Sequence, residues 1–212
     1  MDYTFIDNFK KSLKDHSDIL ITLYNLSEIE NTKDECLNPN IGSHREHDLV
    51  AFLYYFMPIH YVSFYYKSIY PWDVLISSVR YSIKHQSGNS NTAIKLKWGT
   101  NDATKYINNF KGFTYNLIIV SINREKVPKY SKTIIIYIID ETTLNNIYET
   151  VKNNTPFVID NRGIAFSSSF MKQIKEHSEQ IYIKSDLLKT LDTDKKALDV
   201  RLKLINDMVI NK

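Results

Sequence analysis

Apolar residues recur every three or four positions at the start of the chain. Phe5, Phe9 and Leu13 form one stripe and Leu20, Leu23 and Tyr24 a second, which predicts helix over residues 2–26 with a candidate break at Asp15-His16-Ser17-Asp18. Residues 27–48 turn polar and read as a connector ending in Ser43-His44-Arg45-Glu46-His47-Asp48. From Leu49 to Tyr66 no residue carries a fixed charge. Trp72, Leu75, Ile76, Val79 and Ile83 then follow helical spacing, with Asp73 as a helix-opening residue and Ser87-Gly88 as a stop. Ile94–Trp98 alternates like a half-buried strand, and a short helix is expected over 102–110. Strands follow at 113–122 and 132–139. The second is apolar on both faces and so belongs in the middle of a sheet. Leu144, Ile147, Tyr148 and Val151 mark a helix, 156–159 a strand, 167–178 a helix and 180–184 a strand. A closing helix over 194–210 places Leu198, Leu202, Ile205 and Val209 in register.

This order predicts an α+β protein: N-terminal helices packed on a mixed, largely antiparallel sheet, with flanking helices and a C-terminal helix. Residues 1–48 form a helical segment with its polar connector and 49–212 the α+β domain, together one compact unit of the size 212 residues allow.

Composition sharpens this in three ways. The chain has 15 Tyr, 10 Phe and 2 Trp, too many aromatics for a disordered chain. Ten of them fall between Phe52 and Trp72, but Pro58, His60 and the tyrosines there argue against a membrane span. That segment is either core or a face for a partner. The net charge of +3 permits nucleic-acid binding without arguing for it. A single cysteine, Cys36, and an acidic N-terminus without a signal-peptide pattern point to a reducing compartment, the cytoplasm. Heavy use of Asn, Ile, Lys and Tyr fits an AT-rich genome, such as that of a virus or mobile element.

From residue 73 onward the element order resembles the beginnings of two enzyme superfolds, the restriction-class nucleases and the acetyl-CoA-dependent acyltransferases. A nuclease site needs an acid near one strand, then an acid and a lysine two apart on the next, to hold Mg²⁺. The strands at 116–122 and 133–139 lack that pair, and Lys95-x-Lys97 lacks the acid. Pro71-Trp72-Asp73 resembles a Pro-Asp element but precedes the first expected strand. An acyltransferase needs a glycine-bearing phosphate loop, and Asp140-Glu141-Thr142-Thr143 has none. The densest polar cluster supplies His44, Glu46 and His47 as acid–base candidates, with Asp140 and Asp160 at strand ends as further acids. Each has a plain structural alternative: Ser43 and Glu46 as a capping box, Asp140 as a helix cap, Asp160 in a turn. No metal-ligand set and no cofactor is assigned.

Three functions follow in order of expectation. The first is an interaction or structural protein docking a protein partner, or itself, through Tyr61, Tyr65, Tyr66 and Tyr70. The second is an RNA- or DNA-binding protein using Lys95, Lys97 and a basic hairpin with Arg124, Lys126, Lys129 and Lys132. The third is a nuclease-like enzyme centred on His44, Glu46, His47, Asp140 and Asp160.

Overall fold

A strand that is apolar on both faces has to be covered on both, and Thr133–Ile139 is. In a computed structural model of the chain, which describes residues 3–33, 41–57, 62–64, 72–88, 94–98, 103–124, 132–160, 163–185 and 191–210, this run lies inside a six-stranded sheet. The elements are α1 (Tyr3–Lys33), α2 (Ile41–Phe56), β1 (Val62–Phe64), β2 (Val74–Ile76), β3 (Val79–Ser87), β4 (Lys95–Trp98), α3 (Ala103–Asn108), β5 (Asn116–Arg124), β6 (Lys132–Ile139), α4 (Glu141–Val151), β7 (Phe157–Asp160), β8 (Gly163–Phe166), α5 (Ser168–His177), β9 (Glu179–Ser185) and α6 (Leu191–Ile210).

The large sheet runs β1-β2-β3-β5-β6-β9. Every pairing in it is antiparallel except β3 with β5, so the sheet is mixed and largely antiparallel. Side chains alternate across β6. Ile134, Ile136 and Ile138 join a core built with α1, α2 and α6, while Ile135, Tyr137 and Ile139 join a second core built with α4 and α5. The small antiparallel sheet β4-β8-β7 contributes Phe157, Ile164 and Phe166 to that second core. The N-terminal helices therefore pack on the sheet as the α+β reading requires.

Three expectations change. The polar stretch 27–48 is helix at both ends. α1 continues to Lys33 and α2 begins at Ile41, so Ser43 lies inside a helix rather than capping it. α1 does bend where expected, at His16 (φ −139°, ψ 22°). Residues 72–86 form a β-hairpin, not a helix. Val74, Ile76 and Val79 are β-branched, and Ser77 and Ser78 take left-handed φ values of 49° and 66°, the two-residue turn that matches strand twist. Among the described side chains of α6, Ala197 and Val200 are buried, whereas Leu198 and Leu202, expected inside, are 48% and 54% exposed; Ile205 and Val209 lie outside the described side chains.

The described part of the aromatic segment is core. Leu49, Val50, Ala51, Phe52, Leu53 and Met57 are buried, and Tyr54, Tyr55 and Phe56 pack against them. Tyr61, Tyr65, Tyr66 and Tyr70 lie outside the described residues. Among the described residues no helix is long and apolar enough to cross a membrane.

Candidate active site beside β3

The site grows from a mismatch in strand length. β2 pairs with β3 from Ile76↔Val79 only as far as Val74↔Tyr81. One residue earlier, the Asp73 amide donates to the Tyr81 carbonyl at 2.8 Å, and the paired edge ends. The next β3 amide on that side would lose its partner, and an orphaned amide is costly. The Asp73 carboxylate takes its place: the Ile83 amide donates to Asp73 Oδ2 at 2.6 Å. Ser82 Oγ donates to the same oxygen at 3.0 Å and Lys84 Nζ approaches it at 3.4 Å. Among the described residues all these contacts fall on Oδ2, which leaves Oδ1 for something else.

A second carboxylate arrives from the other side. α2 packs on β3 and brings Glu46 Oε1 to 3.9 Å from Lys84 Nζ. The Lys84 and Glu46 side chains are 19% and 24% exposed, so the cluster is dehydrated but open to a ligand. Burial pushes the Glu46 carboxyl up to about 7; Lys84 opposes that rise and Asp73 adds to it. Burial works against the Lys84 charge, but Asp73 and Glu46 outweigh it and hold the ammonium above its ordinary value. His47, beside Glu46, is held below the usual imidazole value by desolvation and by His44, against the pull of Asp73.

The sequence candidates divide between this site and other duties. Glu46 and His47 of α2 both feel the charge of Asp73, and His44 acts on His47, with His44 and His47 exposed. Glu46 reaches Lys84 rather than completing a capping box. Asp140 caps α4, its carboxylate accepting from the Thr143 amide at 2.9 Å and the Thr143 hydroxyl at 2.8 Å. Burial would raise its carboxyl, but those two bonds prevail and hold it below the ordinary value. Asp160 pairs with Lys95 across the small sheet. Arg124 and Lys132 are backbone partners in register at the ends of β5 and β6. Lys97 lies in β4, while Lys126 and Lys129 are outside the described residues.

Asp73 and Lys84 are new to the site. Both carried a sequence signal, since Pro71-Trp72-Asp73 is followed by Ser82-Ile83-Lys84. The helical reading of 72–86 hid it, as did a serine standing two residues before the lysine, where an acid was sought.

Among the described residues no cluster of three or more His, Cys, Asp or Glu side chains forms. The site offers two carboxylates, one with an oxygen that carries no hydrogen bond among the described residues. Mg²⁺ keeps several waters and is commonly held by one or two carboxylates together with substrate phosphate.

The fold is similar to a solved structure described as a restriction endonuclease in complex with substrate DNA, with a TM-score of 0.68, 20% sequence identity, and coverage of 94% of this chain and 97% of that one. No protein-family model and no curated protein sequence matches the chain.

Proposed function

We propose that the protein is a Mg²⁺-dependent DNA endonuclease whose active site is Glu46, Asp73 and Lys84. The observation that carries this reading is the convergence of two carboxylates and a lysine beside β3. A fold shared along almost its whole length with an endonuclease supports it. That shared fold favours the nuclease alternative over docking through the aromatic segment.

Asp73 and Glu46 would hold the cation. When bound, it would supply Lewis-acid polarisation of a phosphoryl oxygen and a water of lowered pKa. Hydrolysis joins a water oxygen to phosphorus and breaks one ester P–O bond, leaving a phosphate end and a hydroxyl end. The Lys84 ammonium, kept charged by its two acids, would offset the negative charge that builds on the phosphoryl oxygens. Ser82 and the Ile83 amide fix the Asp73 carboxylate through Oδ2, so little reorganisation is needed when substrate arrives. The basic stretch with Arg124, Lys126, Lys129 and Lys132, and Lys97 of the small sheet, are proposed as contacts to the phosphate backbone rather than to bases, while Lys95 is committed to Asp160.

The test is cleavage of supercoiled plasmid DNA with Mg²⁺ present and absent. Wild type is expected to nick or linearise it only with the metal. Lys84→Ala and Asp73→Asn are expected to lower the rate by about 10²–10⁴-fold while remaining folded by circular dichroism. Metal-independent cleavage, or undiminished cleavage by both variants, would refute the assignment.

A further inference from the structure

The helical turn that carries Glu46 is held by charged groups that ordinary packing does not require. Arg45 and Asp48 flank Glu46 on α2, and both are almost fully buried, 4% and 3% exposed. Three residues apart, they lie on one side of the helix, turned away from the direction Glu46 takes. Arg45 NH2 donates to Glu28 Oε1 of α1 at 2.8 Å. Asp48 is gripped by Arg201 of α6: Nε donates to Oδ1 at 2.8 Å and NH2 to Oδ2 at 3.0 Å, a two-pronged contact. The same NH2 group reaches the Leu23 carbonyl at 3.1 Å and Ser27 Oγ at 2.9 Å, both on α1. Ser27 Oγ in turn donates to Asp48 Oδ2. Arg201 thus ties three helices together at the turn bearing Glu46. Arg201 therefore faces α1 and α2, while Leu198 and Leu202 on the same helix are exposed.

Buried ion pairs are weak sources of stability, because well-packed apolar side chains often do as well in their place. What a planar guanidinium adds is a fixed geometry. We infer that Arg201, with Asp48 and Ser27, is a positioning device that sets Glu46 against Lys84 and Asp73, so that the C-terminal helix controls how well the site holds its cation. This rests on the reading of Glu46 and Asp73 as cation ligands. Displacing a ligand-bearing turn by an ångström, or removing an outer partner of a ligand, costs about 10–100-fold in affinity or rate.

The experiment measures Mn²⁺ binding to the full chain by electron paramagnetic resonance, alongside the thermal midpoint. The variant is Ser27→Ala, Asp48→Leu, Arg201→Met, which replaces the buried pair with apolar groups. The expected result is an unchanged midpoint and a Mn²⁺ dissociation constant raised at least about tenfold. If that variant does not fold, Arg201→Lys, which keeps the charge but loses the fork, is expected to raise the constant in the same way. In a Glu46→Gln background either change is expected to have no further effect on Mn²⁺ binding, because the clamp acts through Glu46. Wild-type affinity in the variants, or an equal additional loss in the Glu46→Gln background, would overturn the clamp alone. A wild-type chain that binds no Mn²⁺ would overturn the cation site and the clamp with it.

Discussion

At the residue scale the account turns on Glu46. Its carboxyl is raised to about 7, first by burial and further by Asp73, so the folded chain holds this proton more tightly than the unfolded chain does. Stability therefore falls as pH rises from the ordinary glutamate range through about 7, and stays at the lower level above it. Removing the charge should help where Glu46 is ionised. Glu46→Gln is expected to be more stable than wild type by about 1–2 kcal/mol at pH 8.5 without metal, after allowing for its partial exposure and the lost Lys84 contact. The gain should shrink below pH 5, and saturating Mn²⁺ should reverse the order by stabilising wild type only. Urea denaturation at the two pH values checks this. Glu46 stood out in the sequence because its neighbours are dense in charge. Asp73 and Lys84 did not, because their role depends on where β2 stops.

At the element scale the decisive feature is the hairpin of β2 and β3. Trp72, Leu75, Ile76, Val79 and Ile83 satisfy helical spacing, yet Val74, Ile76, Val79, Tyr81 and Ile83 satisfy a strand–turn–strand alternation as well. Short apolar runs are ambiguous between the two periods, and here two serines in left-handed geometry are the whole difference. That geometry strains a residue with a side chain. Ser78 is exposed at φ 66°, so Ser78→Gly is expected to stabilise the chain by about 0.5–1 kcal/mol, read as a raised denaturation midpoint without change in slope. The opposite holds at Gly112, where φ is +117° and an added Cβ would come within 2.7 Å of Asn145 Oδ1. Asn145 grips Phe113 by both edges, accepting from its amide at 2.8 Å and donating to its carbonyl at 2.9 Å. Gly112→Ala is expected to cost about 2–3 kcal/mol by the same assay, through backbone strain and loss of this pair. Helices with strong signals were legible: Asp140 before α4 and Ser167 before α5 each cap with a hydrogen bond to the third residue on.

At the scale of the molecule the sheet was legible from β5 onward, because long apolar strands such as β6 admit only a central place. Before β5 the outcome was mixed: α1 with its bend at His16 and β4 were legible, while the start of α2 and the hairpin of β2 and β3 were not. The buried charges Arg45 and Asp48, and the half-buried Arg201 paired with Asp48, made two helical surfaces look solvated when they face other helices. The α+β architecture thus came through, while the site, assembled from α2, the start of β2 and the middle of β3, needed the three-dimensional arrangement. The measurement that tests the central claim most directly is anomalous scattering from a Mn²⁺-soaked crystal of the wild-type protein. The account predicts a manganese peak bound by the carboxylates of Glu46 and Asp73, with Lys84 beside it, and no such peak in Asp73→Asn. A peak held by other residues, or an empty Glu46–Asp73 site at saturating Mn²⁺, would contradict it.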